Sequence, residues 1–421
     1  MLQQSQLKHS TYDVVIVGGG MVGASLACAL QEAISQGLKV LVVERFPLPE
    51  EDDAAASPLE SYQPSYDARS TALSFGSRSI FEAIGIWPVL SQRAEAIQNI
   101  HVSDRGHFGA VRMNATEENV EALGYVVENQ WLGRVLLNQI KQQNKVDWLC
   151  PASVVKAQPA SAGVVVELDV DGQRLMIDSQ LMVLADGGRS SLREDLGLQS
   201  DVTPYGQQAI IANVSVEKAH QGTAYERFTD QGPMALLPLR ERTVALVWTL
   251  PEKKAQQMLA NSDQEFLEDL QQAFGFRLGE LERVGQRVSY PLALIRSKEQ
   301  HRSGMVVLGN AAHTLHPVAG QGFNLALRGV ATLAEKISAA YSNGEPVGAL
   351  TLLREFSESL SNDQEKTIQF SHQIVKAFSN NHPLLSMMRD FGLVTLDCFP
   401  TARSALTRYA MGLGERLARL G

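Results

Sequence analysis

Cysteine is scarce: Cys28, Cys150 and Cys398 are the only three in 421 residues. They are odd in number, far apart and never arranged as CxxC, which excludes a disulfide framework and a zinc ribbon. We expect reduced, packed thiols, with Cys28 inside an apolar helical pattern. No stretch approaches the roughly 18 uncharged apolar residues of a membrane-crossing helix. The opening MLQQSQLKHS has no apolar segment of the kind a secretion signal carries. The expected location is the cytoplasm, with contact at the inner membrane surface left open. Positive charge is also in deficit, with 37 Lys and Arg against 46 Asp and Glu and a net charge of −9. That balance argues against a nucleic-acid partner, which needs a basic face. No metal-ligand spacing is present.

The chain is rich in hydrophobic residues, at 44%, and carries 20% charged residues. This is the balance of a globular chain with a full core, and its length predicts two or three packed regions. No internal repeat is visible. Pro49 to Ser65 is an acidic, Ala/Ser/Pro-biased segment that reads as a surface loop.

Tyr12 to Val17 is a β-branched run, followed by glycines, a helix from about Met21 to Gln36, and a second strand Lys39 to Glu44. This is one β-α-β unit. From Val164 onward, alternating runs (GVVVELDVDG, RLMIDSQLMVLAD, IIANVSV, GPMALLPL, TVALVWTL) predict an antiparallel sheet beside the parallel one. After Gly322, the spacing of Leu325, Val330, Leu333, Ala334 and Ile337 predicts one helical face. The tail beyond Pro346 is helical in pattern, interrupted at Pro383 and Pro400.

Gly18-x-Gly20-x-x-Gly23 sits between that first strand and helix. Such glycines allow a tight turn, backbone approach to a pyrophosphate, and close helix–strand packing. The helix start adds free N–H groups and positive dipole. Glu44 ends the second strand, where an acid accepts hydrogen bonds from an adenosine ribose. The alternative is a plain βαβ turn. Two later motifs bear on the choice. LADGGRSSLR, Leu184 to Arg193, follows a strand, and Asp186 or Ser190 could serve as its helix cap. VVLGNAAHTLHPVAGQGFN, Val306 to Asn324, carries no charged side chain. It brings bare backbone to a helix start near Gly322, suited to a large planar ligand with developing negative charge.

Together these motifs resemble the FAD-dependent aromatic hydroxylases of the p-hydroxybenzoate hydroxylase type, over roughly Tyr12 to Tyr341. The resemblance implies an α/β chain (α+β overall) with a Rossmann-like FAD-binding domain, an antiparallel-sheet substrate domain and a helical C-terminal region. The expected boundaries are 11–80, 125–195 and 285–340 for FAD binding, 81–124 and 196–284 for substrate, and 341–421 for the tail. It implies that Gly18, Gly20, Gly23, Glu44, Arg45, Arg69, Asn129, Asp186, Gly309, Asn310, Gly322, Phe323 and Asn324 bind FAD. Pro317, Gly320, Gln321 and Gly322 would form the flavin environment. Where the family has Gly-Asp-Ala-Ala-His, this chain has GNAAH, Gly309 to His313, so Asn310 offers an uncharged contact to the ribityl chain. For Arg69 the alternative is a surface ion pair. For Asn129 it is a helix cap. His313 and His316 have the chemistry of a base but lie in the cofactor motif, where a structural bond is the better reading. No catalytic base is assigned.

A narrower resemblance, carried by HVSDRGHFG, YERFTDQGPMALLPL, YPLAL and the third motif, is to the ubiquinone-biosynthesis hydroxylases. Among them it is to those that hydroxylate 2-polyprenyl-6-methoxyphenol to the benzoquinol. It implies a polyprenylated phenol and O2 as substrates, NAD(P)H as co-substrate, and other ubiquinone-biosynthesis proteins as candidate partners. Two rivals stay open: hydroxylation at a different ring position, and a flavin-binding assembly subunit without turnover. Flavin halogenases are set aside, because none of Trp87, Trp131, Trp148 or Trp248 lies in WxWxIP. Arg403, Arg408, Arg416 and Arg419, interleaved with apolar residues, are the expected membrane-facing segment of the tail.

Overall fold

The computed structural model describes residues 7–48, 69–107, 109–188, 191–378, 392 and 394–413. The acidic segment Pro49 to Ser65, Ser190, and the tail arginines Arg416 and Arg419 lie outside them. The strand Thr11–Val17 sits centrally in a sheet, parallel to Val40–Val43 on one side and to Gln173–Leu184 on the other. Asp147–Leu149 and Met305–Val307 extend the parallel order outward on the two sides. The central strands are buried on both faces, which explains why they read as unbroken Val/Ile/Leu runs rather than alternating ones.

One expectation is corrected here. Gly163–Val170 and Gln173–Leu184 form an antiparallel hairpin, but they belong to the first sheet. The second strand changes character along its length. Its start alternates between exposed and buried, while its last four residues, Met182 to Leu184 with Leu181, are fully buried beside Thr11–Val17. The predicted helix from Met21 to Gln36 is also two helices, Met21–Ala29 and Gln31–Ser35, meeting at Leu30.

The second sheet is antiparallel except for one pair. Ser200–Val216 pairs with Val288–Ser297 and Thr243–Pro251, followed by Gly232–Pro238 and Thr223–Thr229. Asn99–Asp104 then joins Thr223–Thr229 in parallel. Helices Glu252–Ala260 and Asp263–Phe274 cover one face, burying Trp248, Phe266, Leu270 and Phe274. The second of these helices starts at a reciprocal capping box between Ser262 and Glu265.

Helix Gln321–Ser342 returns the chain to the first sheet. Leu325, Val330, Leu333, Ala334 and Ile337 are all buried, as their spacing predicts. Its Arg328 meets Asp363 of helix Leu350–Phe378 through two bonds, Nε to Oδ2 at 2.6 Å and Nη2 to Oδ1 at 3.1 Å. Helix Pro400–Ala410 packs against Ala110–Asn114. Arg403 is ion-paired with Glu117 at 3.1 Å, and buried Met411 accepts the Gly76 N–H through its carbonyl. Arg403 is thus engaged by the protein itself. Cys28 is buried as expected, whereas Cys398 is exposed.

Candidate functional site

A single cavity of about 1310 Å³ joins the two sheets. Gly18, Gly20, Glu44, Arg45, Arg69, Asn129, Asp186, Asn310, Pro317, Gly320, Gly322, Phe323 and Asn324 all line it, although they come from six separate stretches of chain. Gly23, Gly309 and Gln321 do not stand on its wall.

The three glycines of the first motif serve different ends. Gly18 has φ +101°, and a Cβ there would stand 2.7 Å from the Ala185 carbonyl oxygen. At Gly23 a Cβ would overlap the Gly18 carbonyl oxygen, so helix and strand could not approach. Gly20 is the N-cap of helix Met21–Ala29 with φ −66°, a value open to any residue. Nothing in its backbone conformation requires glycine. Its bareness leaves the cavity clear in front of a helix N-terminus, which is what a pyrophosphate needs.

Glu44 is buried, and its carboxylate accepts from the Gly19 N–H at 2.6 Å and the Phe46 N–H at 2.9 Å. Burial raises its pKa, against the pull of those two N–H groups. The carboxylate is therefore fixed beside the glycine loop, where ribose hydroxyls would need an acceptor. Asp186 turns back on its own chain, accepting from the Gly188 N–H at 2.9 Å. The expected helix cap is not formed by it: helix Leu192–Asp195 has Ser191 at its N-cap, with no side-chain cap bond.

In the third motif Gly309 has φ +64°, and a Cβ there would press on Val22 Cγ2 at 2.9 Å, so it locks this turn onto the first helix. Asn310 is exposed at the cavity wall. Gly320 is the N-cap of helix Gln321–Ser342, with φ +61°. Gly322 has open space where a Cβ would stand. Gln321 is buried and donates to the Ala410 carbonyl at 3.4 Å. Asn324 spends its side chain inside the protein: Nδ2 donates to the Ala72 and Gly320 carbonyls, and Oδ1 accepts from the Ser74 N–H and the Ser77 hydroxyl. Contact from Asn324 to a ligand would fall to its main chain. His313 is deeply buried with neither ring nitrogen hydrogen-bonded among the described residues, and burial holds its pKa down at about 4. His316 lines the cavity, accepts from the Val318 N–H at 3.3 Å, and is likewise pushed to about 4 by burial.

Arg69 stands with its guanidinium 4.7 Å from the Tyr290 ring centroid, on the cavity wall. Asn129 is the first residue of helix Asn129–Gln143 rather than its cap, which is Glu128. Its Oδ1 accepts from the Thr71 hydroxyl at 2.6 Å.

Toward the second sheet and the C-terminal helices the cavity wall is mostly apolar. Ile211, Ala235, Leu237 and Val247 of the second sheet line it, as do Phe370, Leu396, Leu406 and Ala410 from the C-terminal helices. One residue of this wall was missed by sequence reasoning: Glu226, half-buried on strand Thr223–Thr229. The only hint in the sequence is a carboxylate at a position where the alternation of YERFT calls for an apolar residue.

The residues present suit a bound FAD. They offer an open helix N-terminus, a fixed carboxylate at ribose distance along the motif, bare backbone at the third motif, and a cavity large enough to hold the cofactor beside a second ring. The comparisons agree. A family described as "FAD binding domain" matches residues 11–355. The ubiquinone hydroxylase UbiL of Rhodospirillum rubrum is 34% identical, over 97% of this chain and 92% of its own length. The 3-demethoxyubiquinol 3-hydroxylase of Escherichia coli is 28% identical, over 95% of this chain and 98% of its own. In fold, the chain is similar to p-nitrophenol 4-monooxygenase of Pseudomonas putida. The TM-score is 0.77 at 17% identity, covering 97% of this chain and all of the other.

Proposed function

The chain belongs to the FAD binding domain family, and from that premise we propose that it is an FAD-dependent monooxygenase hydroxylating a polyprenylated phenol in ubiquinone biosynthesis. NAD(P)H and O2 are its co-substrates. At the finer level, the substrate is 2-polyprenyl-6-methoxyphenol and the product the corresponding 1,4-benzoquinol. The observation that carries this reading is the continuity of one cavity, from the glycine loop at Gly18 and Gly20 to the apolar sheet face at Ile211 and Val247.

FAD, when bound, would supply the redox chemistry that couples NAD(P)H oxidation to hydroxylation by O2. The chain's own residues hold and enclose it. The loop Gly18 to Gly23 and the start of helix Met21–Ala29 take the pyrophosphate, and Glu44 the ribose. Asn310 would serve the ribityl chain, and Pro317, Gly320, Gly322 and Phe323 would border the flavin ring. The apolar sheet face excludes water from the reacting ring and leaves room for a prenyl tail, while Arg69, held over Tyr290, places positive charge on the cavity wall. The discontinuous division at 11–80, 125–195 and 285–340 against 81–124 and 196–284 is part of the same proposal. So is delivery of the substrate from a membrane surface, since a prenylated phenol dissolves poorly in water.

Two of the relatives named above are a ubiquinone hydroxylase and a 3-demethoxyubiquinol 3-hydroxylase, and similarity to them supports the substrate class. The test is direct. The purified protein should be yellow, and a prenylated methoxyphenol should stimulate its NAD(P)H oxidation with formation of the para-hydroxylated product. A colourless protein, or hydroxylation at another carbon, overturns the reading at the coarse or the fine level respectively.

A further inference from the structure

Strand Thr223–Thr229 presents its two faces to different environments, as the period of two requires. Tyr225 stacks edge-on against Phe274, and Arg227 donates to the Ala273 carbonyl, both on the helix-covered side. Ala224, Glu226 and Phe228 line the cavity, and part of Tyr225 reaches it as well. In register, Glu226 lies between Ala235 on one neighbouring strand and Val102 on the other, and both line the cavity too. Among the described residues of this sheet that line the cavity, Glu226 is the one with an ionisable carboxyl or a formal charge. No hydrogen bond to that carboxyl is formed among the described residues. Burial pushes its pKa up to about 8, so at neutral pH it is an uncharged acid.

A carboxyl with no partner on an apolar wall costs stability, on the order of 1–3 kcal/mol for the unmet polar group. Its paired neighbours in the sheet, Ala235 and Val102, and the nearby Ile100, Leu237 and Val247 meet the packing requirement with apolar side chains. A group held at that cost, aimed at a cavity, is a binding group. A neutral carboxyl both donates and accepts one hydrogen bond, and a phenol hydroxyl does the same. The arrangement is complementary, and the apolar surroundings strengthen it.

Resting on the reading of the substrate as a prenylated phenol, we infer that Glu226 binds the ring hydroxyl and so fixes which ring carbon is presented for hydroxylation. Away from Glu44, Arg45 and Asp186, the other ionisable cavity-wall groups are already engaged: Arg69 and Tyr290 with each other, His316 with the Val318 N–H, and Tyr225 with Phe274 and Thr223. Selectivity for a free hydroxyl therefore falls to Glu226.

The probes are 2-farnesyl-6-methoxyphenol and its methyl ether, which has lost the donor. With FAD-loaded wild-type protein, the phenol should bind roughly 3–10-fold more tightly than the ether, the worth of one neutral hydrogen bond. Glu226→Gln keeps a donor and an acceptor and should preserve the preference. Glu226→Leu should bind both probes equally and give mixed hydroxylation positions, while FAD content and melting temperature report that it has folded. A Glu226→Leu protein that holds FAD and still prefers the phenol overturns the inference and leaves the substrate reading standing. Wild-type protein whose NAD(P)H oxidation does not respond to the phenol overturns the substrate reading and the inference with it.

Discussion

Asn324 holds Ser74 across 250 residues of chain: its Oδ1 accepts the Ser74 N–H at 2.9 Å while its Nδ2 donates to the Ala72 carbonyl at 2.9 Å. One amide thus pairs with the free edge of strand Ser70–Ser74, which lines the cavity, and a third and fourth bond tie in Gly320 and Ser77. Asn324→Ala should therefore cost about 1–3 kcal/mol of stability, because buried groups lose their partners. Asn324→Asp should not rescue it, since a carboxylate would face the two carbonyls. Denaturant melts of the three proteins check this, and an Asp variant as stable as wild type would contradict it.

Gly20 and Gly23 should fail in different ways. Gly20→Val has an allowed φ and protrudes into the cavity, so the protein should fold and lose FAD. Gly23→Val meets the Gly18 carbonyl and should lose the fold itself. Circular dichroism alongside flavin absorbance separates the two. A Gly20→Val protein that retains its full yellow colour would falsify the placing of the pyrophosphate.

At Asn310 the side chain is exposed to the cavity and uncharged. Its replacement by Ala should weaken FAD binding by about 0.5–1.5 kcal/mol, and Asn310→Asp should be tolerated. Fluorescence titration of the apoprotein with FAD measures both, and an unchanged Kd for the alanine variant counts against a ribityl contact.

The pH dependence of stability has two opposing limbs. His313, depressed to about 4 by burial, leaves the folded state short of a proton that the unfolded chain takes up below about 6.5, so stability falls as pH drops from 6.5 to 4. Glu226, raised to about 8, works in the other direction. The folded state keeps a proton that the unfolded chain releases above about 4.5, and that stabilisation is lost as pH rises toward 8. His313→Leu should flatten the acid limb and Glu226→Gln the neutral one. Melting temperatures at pH 5, 6.5 and 8 read out both slopes.

The Arg328–Asp363 pair joins helices Gln321–Ser342 and Leu350–Phe378, both of which line the cavity, and both side chains are about nine-tenths buried. Asp363→Ala strands a buried guanidinium and should cost about 3–5 kcal/mol, whereas the double variant Arg328→Met with Asp363→Leu should be much milder. A double-mutant cycle by urea unfolding measures the coupling.

What the sequence disclosed follows from how locally each feature is determined. Gly18, Gly20, Gly23 and Glu44 were legible because a single β-α-β unit contains their whole geometric logic. The helical face of Leu325 to Ile337 was legible for the same reason. Gln173–Leu184 was placed in the wrong sheet, because its alternating first half reflects a solvent-facing hairpin and outweighs four buried residues at its end. Asn129 was open between cap and site because a boundary shift of one residue decides it. Glu226 stayed hidden because its burial comes from strands at Val102 and Ala235, neither of which can be paired with it by inspection of spacing. Asn324 was assigned to the ligand by motif alone, when its amide was already claimed by a strand from the beginning of the chain.

The strand Met305–Val307 occupies the place beside Met182 to Leu184 in the first sheet. On a ribosome, the glycine loop and Glu44 emerge early, yet this edge of the sheet stays unpaired until the chain is nearly three quarters made. At ordinary elongation rates the delay from Ser74 to Asn324 is on the order of tens of seconds. By the end of that interval the nascent protein exposes an open parallel edge, an apolar cavity wall and no closed pocket, so cofactor capture is a late event and the waiting chain is the form a chaperone would meet. A ribosome-bound fragment ending before Met305 should hold no flavin, however complete its first motif.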